Sequence, residues 1–515
     1  MAAPGPDGGD TARDTARSAG RGGLAIAGAK VFFILTGLVQ QVALKHVLGL
    51  QAYGALGRVQ SIASVIYNPV VSTSVQGVSR AVAQAPDAHR AAAARRALGV
   101  HAAAIVPIAA AFLLAAPLLG QALHAPHLVL PLRICTGVLL LYGLYTPLVG
   151  VLNGTRRFAA QAGLDVLCAT LRTVGLLGGA WYFARWGAGV EGALGGFVAA
   201  VAVVLLAALR VAGLGERGPG GTTARQHLLF IAPLAGGQLA LNLLFQCDLT
   251  LLGRFAADAA AYAGLPVAAA DTLAGAYRNA QLFCFLPYQL LLAVTFVLFP
   301  LLATAQRDGD REAVARYVRA GVRLAVVLAG LMVSVTAGLS GPLLRLVFGR
   351  DSAALGADAM LVLALGLGVL AIFGILTTVL TSLQREGQSA ALTVAALGMV
   401  VGLCFLLARG QPFGPAMLVR TAISTGAGML AATLLAAACV KRTVGAVVAP
   451  HTLLRVGVAL GAAIALGRLL PAPGKLMTLP YCAGVAALYL AALAAMRELG
   501  RADLDALRTV LPRRH

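Results

Sequence analysis

The sequence has 515 residues, of which 59% are hydrophobic, and its mean hydropathy is +0.85. Soluble domains contain about 45–50% apolar residues, so this composition excludes a soluble protein and predicts an all-α polytopic membrane protein. The net charge of +21 does not indicate nucleic acid as a partner, because most Lys and Arg residues fall in the tails and in alternate loops. That distribution is the positive-inside pattern, and it predicts that both termini are cytoplasmic.

Runs of apolar residues predict about 14 transmembrane helices, since a helix needs about 20 such residues to cross a bilayer. The predicted spans are 24–48, 55–83, 98–120, 127–152, 160–183, 190–212, 228–252, 274–304, 318–340, 355–383, 389–408, 413–439, 451–470 and 476–496. The runs are long and unbroken, which argues against the alternating strands of a β-barrel. The seven cysteines all lie in these spans, and their spacing predicts neither a metal site nor a disulfide.

Three local similarities indicate that a six-helix unit is used twice. Arg58 corresponds to Arg278, the stretch 94–123 resembles 315–348, and the turn at 151–158 resembles the segment 382–389. Two copies with an even number of helices predict two six-helix lobes related by a pseudo-twofold axis along the membrane normal. Two C-terminal helices follow.

The predicted organisation has six parts. They are a disordered cytoplasmic tail at 1–23, an N-lobe of helices 1–6 at 24–212, a cytoplasmic linker at 213–227, a C-lobe of helices 7–12 at 228–440, helices 13–14 at 441–498 and a cytoplasmic tail at 499–515.

Three motifs carry a resemblance to a known family. They are LGLQAYGALGRVQSIASVIYNPVVSTSVQGVSRAVAQ at 48–84, FPLLATAQRDGDREAV at 299–314 and LLRLVFGRDSAAL at 343–355. Together with the helix count they resemble the polysaccharide and oligosaccharide unit flippases of the multidrug/oligosaccharidyl-lipid/polysaccharide exporter superfamily, over roughly residues 24–440.

The resemblance implies a transporter rather than an enzyme. Such a flippase alternates access to a cavity between its lobes and moves undecaprenyl-diphosphate-linked oligosaccharide repeat units across the bacterial inner membrane, for surface polysaccharide or lipopolysaccharide synthesis. Its expected partners are the lipid-linked glycan, membrane lipids, and the polysaccharide polymerase and chain-length machinery. No cofactor is expected, and coupling to H⁺ or Na⁺ stays open.

Other transport functions and a polytopic enzyme are the alternatives. A drug or metabolite/cation antiporter of the same fold would favour an acidic cavity, whereas the deep charges here are mostly basic. Lipid II flippases carry an Arg-Asp pair where this chain has Gln40 and Gln41, and a basic residue where it has Ala280. A glycan polymerase or ligase would need larger outer loops.

Candidate substrate-binding residues are polar or cationic side chains inside the predicted spans. Guanidinium groups match phosphate oxygens, and amides suit sugar hydroxyls. The candidates are Lys30, Gln41, Arg58, Arg172, Gln238, Asn242, Gln246 and Arg278. The alternatives are that Lys30, Arg58 and Arg278 extend to the membrane surface, that Arg58 and Arg278 form structural ion pairs, and that the amides only join helices.

Two carboxylates are candidates for ion coupling. Asp248 is isolated in the second lobe, where it could bind a cation or proton or pair with Arg254 or Arg278. Asp165 lies two helical turns from Arg172, about 10 Å along the axis, so direct pairing between them is not expected. A relay or cavity role and separate partners on neighbouring helices stay open for these two residues.

Overall fold

A computed structural model describes residues 8–216, 218, 223–445, 447–471 and 474–500, with side chains described from residue 28 onward except 293, 296 and 297. Over these residues the regular structure is helical, which confirms the predicted all-α membrane protein. The helices are α1 Gly8–Ala83, α2 Arg90–Ala122, α3 Val129–Gly154, α4 Phe158–Ala184, α5 Gly189–Ala212, α6 Ala224–Tyr262, α7 Ala270–Cys284, α8 Leu286–Arg307, α9 Arg311–Gly338, α10 Ser340–Phe348, α11 Arg350–Ser382, α12 Glu386–Leu403, α13 Pro415–Val444, α14 Pro450–Leu469 and α15 Thr478–Ala495.

The predicted terminal tails are only partly described. Residues 8–23, for which disorder was expected, form the beginning of α1. Six of these sixteen residues are Ala or Arg, which favour helix, and five are glycine, which lowers helix propensity without forbidding a helix. Residues 1–7 and 501–515 lie outside the described residues.

Helix α1 contains two membrane-crossing arms joined at Gly49. The backbone there has φ 77° and ψ 170°, a conformation that glycine adopts without the steric cost borne by other residues. The apolar part, Gly28–Ala83, has 56 residues and a length of about 84 Å at 1.5 Å per residue. A bilayer core is about 30 Å thick, so this length is enough for the two predicted crossings.

The eighth predicted span is a broken helix. Helix α7 ends at Cys284, and α8 begins at Leu286 with Pro287 in its first turn, a position where proline's missing N–H costs no helical hydrogen bond. Twelve helices in the described part of the chain are long and apolar enough to cross a membrane, α1 being one of them and α7 and α8 not included. Counting α1 twice and the broken pair once accounts for the fourteen predicted spans.

The chain divides into two compact units, residues 1–246 and 247–515. The division falls within α6 rather than in the predicted linker at 213–227. The first half of α6 groups with the first unit because it contacts α1, for example where Phe230 lies 4.0 Å beneath the guanidinium of Arg80.

Each unit packs around one central helix, α3 in the first and α11 in the second. In the first, α3 packs against α1, α2 and α5, and α4 packs against α5. In the second, α11 packs against α7, α8, α9 and α13, and α12 packs against α13. Helices α14 and α15, which have no counterpart in the first unit, pack against α9.

The turns after α3 and α11 reproduce the repeat at backbone level. Arg156 has φ 58° and Gln384 has φ 60°, both in the left-handed region. In each turn the next residue donates its N–H to the carbonyl five residues earlier, Arg157 to Leu152 at 2.8 Å and Arg385 to Leu380 at 2.9 Å. This is the Schellman closure of a helix end. The structural correspondence is therefore Arg156 with Gln384, three residues away from the alignment suggested by the sequence.

Candidate functional site

A polar contact joins α1 and α4 inside the first unit. Arg172 donates from Nε to Oε1 of Gln40 at 3.2 Å, and Thr173 donates to the same oxygen at 3.3 Å. The Arg172 guanidinium also lies 4.3 Å from the ring centre of Phe33. Gln40 is 3% exposed, whereas Arg172 is half-buried, so one part of the guanidinium is fixed and the rest is accessible.

Lys30 and Asp165 extend this polar group along the same two helices. Lys30 is exposed, Asp165 is half-buried, and the two interact electrostatically. Gly37 lies next to this guanidinium, since a Cβ at that position would be 3.6 Å from Nη2 of Arg172, an ordinary van der Waals contact. The α1–α4 polar group therefore contains the predicted residues Lys30, Asp165 and Arg172.

Gln40 was missed by sequence reasoning, which selected its neighbour Gln41. The usable signal was spacing, because Gln40 follows Gly37 by three positions and such residues share a helix face. Gln41 instead accepts a hydrogen bond from the Tyr53 hydroxyl at 3.0 Å and so links the arms of α1 on either side of Gly49.

Arg58 is placed in the interior of the first unit. Its side chain is 2% exposed and donates from Nη2 to the backbone carbonyl of Leu123 at 3.2 Å. Leu123 ends α2, and a cation at a helix C-terminus interacts favourably with the carbonyl groups there. This contact gives the buried guanidinium of Arg58 a hydrogen-bond acceptor inside the first unit.

The predicted amide stripe on α6 takes part in helix packing within the first unit. Asn68 of α1 donates to Oδ1 of Asn242 at 2.8 Å, and Asn242 donates in turn to the backbone carbonyl of Gln238 at 2.8 Å. The Ser61 hydroxyl lies 3.5 Å from the backbone carbonyl of Gln246, a long contact. Gln238 and Gln246 are half-buried.

Three buried polar side chains join α1, α2 and the beginning of α6. The Ser74 hydroxyl lies 3.1 Å from Nδ1 of His101, and Nε2 of His101 lies 3.1 Å from Nε2 of His227. The sequence does not reveal this hydrogen-bonded series, because its three residues are 27 and 126 positions apart along the sequence.

In the second unit, Asp248 lies at the centre of a buried hydrogen-bond cluster. Its Oδ1 accepts from the backbone N–H of Leu249 at 2.7 Å and from Nε2 of Gln281 at 3.0 Å. Its Oδ2 accepts from the hydroxyls of Tyr277 at 2.9 Å and Thr425 at 3.1 Å. Asp248 is 3% exposed, and hydrogen bonds from these four donors offset the free-energy cost of burying its carboxylate.

The Asp248 cluster lies beside irregular helix geometry. Tyr277 and Gln281 belong to α7, the shorter part of the broken helix, and Thr425 belongs to α13. The five residues Cys404–Ala408 at the end of α12 form a π-helical turn, and Ser424, next to Thr425, donates to the carbonyl of Leu403 at 3.0 Å. Broken helices and π-helical turns are frequent at transporter sites.

Arg278, also on α7, is half-buried.

Within the described residues, no group of three or more potential metal ligands occurs.

Comparison with known families gives one match. The family described as polysaccharide biosynthesis protein matches residues 19–306. No curated protein sequence is significantly similar to the chain.

Several solved structures share the fold. A structure titled lipid II flippase MurJ, inward closed conformation, has a TM-score of 0.73 at 11% identity, covering 92% of this chain and 99% of the other. An inward-facing multidrug resistance MATE transporter of the MOP superfamily has a TM-score of 0.66 at 16% identity, covering 80% and 95%. A MOP superfamily transporter from Pyrococcus furiosus has a TM-score of 0.55 at 15% identity, covering 81% and 95%. At these identities the likeness establishes the fold.

Proposed function

Because the chain belongs to the polysaccharide biosynthesis protein family, whose match spans more than half of its length, we propose that it flips undecaprenyl-diphosphate-linked oligosaccharide repeat units across the bacterial inner membrane by alternating access. Both termini are then cytoplasmic, and the flipped units serve surface polysaccharide synthesis. The polymerase and chain-length machinery of that synthesis are the proposed protein partners. Family membership is the observation that carries this proposal.

The α1–α4 polar group supports an anionic, sugar-bearing substrate. Arg172 is held on one edge by Gln40 and over Phe33, so the remaining N–H groups of its guanidinium keep a fixed direction. A guanidinium held in this way can donate two parallel hydrogen bonds to one phosphate, and Lys30 adds a second charge nearby. With two cations and one carboxylate, Asp165, the α1–α4 polar group keeps a net positive charge, which disfavours a drug cation.

The side chains at two positions favour a surface polysaccharide unit over lipid II. Position 280 is alanine and 0% exposed, so no basic group reaches a substrate from there. On α1, where lipid II flippases carry an Arg-Asp pair, this chain has the neutral residue Gln40, which accepts a hydrogen bond from Arg172. The proposed diphosphate contact therefore comes from α4.

The experiment is a deletion of the gene followed by measurement of lipid-linked oligosaccharide on each leaflet. We expect the oligosaccharide to accumulate on the cytoplasmic leaflet and surface polysaccharide to disappear, with both restored by the wild-type chain. Unchanged polysaccharide together with new sensitivity to cationic drugs would overturn the proposal and favour the antiporter.

For the driving force, we propose that Asp248 takes up and releases a proton. Its Oδ2 faces two hydroxyls, those of Tyr277 and Thr425, and a hydroxyl can either donate or accept. When Oδ2 takes up a proton, one of the two hydroxyls can rotate and accept a hydrogen bond from the protonated carboxyl group. No further hydrogen-bond partner is then needed. A sodium ion would have to displace the Gln281 N–H group or another donor.

The coupling test uses the purified chain in vesicles with imposed pH or Na⁺ gradients. We expect flipping to respond to the pH gradient, and Asp248→Asn to abolish that response. Asp308→Asn, an exposed carboxylate in the turn after α8, is the control and should behave as wild type. Dependence on Na⁺ with no response to pH would contradict the proton assignment while leaving the flippase proposal intact.

A further inference from the structure

A strongly basic cavity lies at one end of the second unit, away from the Asp248 cluster. Its volume is about 450 Å³. It is formed where α9 and α14 begin and where the chain leaves α15. The lining residues that matter here are Arg316, Arg319, Arg323, Arg455, Arg497 and Glu498.

The end of α15 brings Glu498 into this cavity. Arg497 has φ 55°, in the left-handed region, and the N–H of Glu498 bonds to the carbonyl of Leu493 at 2.9 Å. This closure reverses the chain direction at the end of the helix. It places the Glu498 side chain, 4% exposed, against α9 and α14.

Glu498 fixes two of the five arginines. Arg323 donates from Nε at 2.9 Å, Arg455 donates from Nη1 at 3.0 Å, and the Thr452 hydroxyl donates at 2.9 Å. Arg323 also donates to the backbone carbonyl of Glu498. Burial by itself would raise the pKa of the Glu498 carboxyl, but the hydrogen bonds from Arg323, Arg455 and Thr452 outweigh it, and the pKa lies below its ordinary value.

The remaining arginines leave the cavity with excess positive charge. Arg319 and Arg497 are exposed and make no ion pair within the described part of the chain. Arg316 has one carboxylate, Glu312, at 3.8 Å, a long contact between exposed groups that stabilises little. Five guanidinium groups therefore converge on a cavity that contains a single carboxylate.

The position of the cavity along the membrane normal fits a lipid headgroup. Its walls are the ends of three candidate membrane spans, Arg311–Gly338, Pro450–Leu469 and Lys475–Ala495. Side chains at the end of a span lie at the level of the polar headgroups, and basic pockets between transmembrane helices bind phosphate-bearing headgroups there.

We propose that this cavity is a binding site for a phosphate group, supplied by the headgroup of an anionic lipid or by a soluble phosphate ester. Arg323 and Arg455, held by Glu498, form its fixed wall, and Arg319 and Arg497 close on the phosphate oxygens. The site is separate from the α1–α4 polar group, and the proposal does not depend on which substrate the protein transports.

The test measures binding to the purified full-length chain in detergent. The probes are phosphatidylglycerol, glycerol 3-phosphate and, as an uncharged lipid control, diacylglycerol. The variant Arg319→Gln/Arg497→Gln removes two cavity charges and leaves the Glu498 contacts in place. The matched control Arg307→Gln/Arg385→Gln removes two exposed charges elsewhere.

We expect wild type and the control variant to bind phosphatidylglycerol with equal affinity, and the cavity variant to bind at least tenfold more weakly. If glycerol 3-phosphate binds to wild type and binds at least tenfold more weakly to the cavity variant, a soluble phosphate ester is a ligand. If glycerol 3-phosphate does not bind while phosphatidylglycerol does, the ligand is the lipid headgroup. No binding by either probe, or equal affinity in both double variants, would overturn the proposal. If the double variant does not fold, as judged by gel filtration, Arg319→Gln alone is used with the control Arg385→Gln.

Discussion

His101 and His227 face each other through their Nε2 atoms at 3.1 Å, 6% and 5% exposed. One of the two nitrogens must carry the shared hydrogen, so the contact requires at least one neutral imidazole. The Ser74 hydroxyl bonds to Nδ1 of His101, and because a hydroxyl can donate or accept, this bond fits either tautomer of His101. The pair joins α2 to the beginning of α6 within the first unit.

Replacing His227 with Ala should loosen the beginning of α6. The change leaves Nε2 of His101 buried without its partner, at a cost of about 1–3 kcal/mol. Hydrogen exchange should increase over residues 224–246, and acidification should have the same effect on wild type, because two protonated imidazoles repel. His46→Ala, an exposed histidine bonded to its own helix, is the control. Unchanged exchange in His227→Ala would show that the pair does not hold α6.

Arg172→Lys should reduce polysaccharide export about tenfold. Lysine keeps the charge but loses the bond to Gln40, and loss of a hydrogen bond to a charged group costs about 1.5 kcal/mol, or roughly tenfold in binding. Gln40→Ala should give a similar reduction, because it frees the guanidinium. The measurement is the amount of exported polysaccharide divided by the amount of folded protein in the same cells. Thr170→Ala, exposed on the same helix, should leave export unchanged, and full export by Arg172→Lys would contradict this role.

Arg58→Ala should lower the amount of folded protein. The substitution removes a buried side chain and leaves the Leu123 carbonyl at the end of α2 without this donor, costing about 3 kcal/mol. Folded protein is measured by gel filtration, and Arg58→Lys should restore part of it. Wild-type levels of folded Arg58→Ala combined with no export would instead indicate a substrate-binding role.

Arg278→Ala is expected to abolish export while leaving protein levels unchanged. Arg278 corresponds to Arg58 in the sequence repeat, but it is half-buried and so remains accessible to a substrate. Export and folded protein are measured in the same cells. Normal export would remove Arg278 from the candidate site without affecting the fold.

Glu498→Gln should destabilise the protein by about 1.5 kcal/mol at neutral pH, because hydrogen bonds to a charged group are weakened. The pKa of Glu498 is lowered in the folded state. Its contribution is therefore complete above the ordinary carboxyl pKa of about 4.5 and is lost as the pH falls through the lower folded value.

The measurement is the melting temperature of wild type and Glu498→Gln as a function of pH, and the two curves should converge in acid. Asp358→Asn is the matched control, since Asp358 and Arg468 are 3.7 Å apart with both side chains largely exposed. That pair should contribute less than about 1 kcal/mol. Parallel curves for wild type and Glu498→Gln would contradict the ionic role of Glu498.

The sequence by itself determined the number of membrane spans and the six-helix repeat. Both depend on local properties, namely the length of apolar runs and the chemistry of turns such as those at Arg156 and Gln384. It also identified Asp248, because an isolated carboxylate in an apolar run is visible without knowledge of its partners.

Only the tertiary structure decided what the polar side chains contact. Asp248 finds donors on α7 and α13, and His101 finds its partner 126 positions away along the chain. Gln40 and Gln41 are adjacent in sequence, yet one fixes Arg172 and the other bonds Tyr53, since successive helical residues point about 100° apart. Arg58 is buried, whereas the sequence alone pointed to extension to the membrane surface or to substrate contact, because its depth depends on how α2 packs over it.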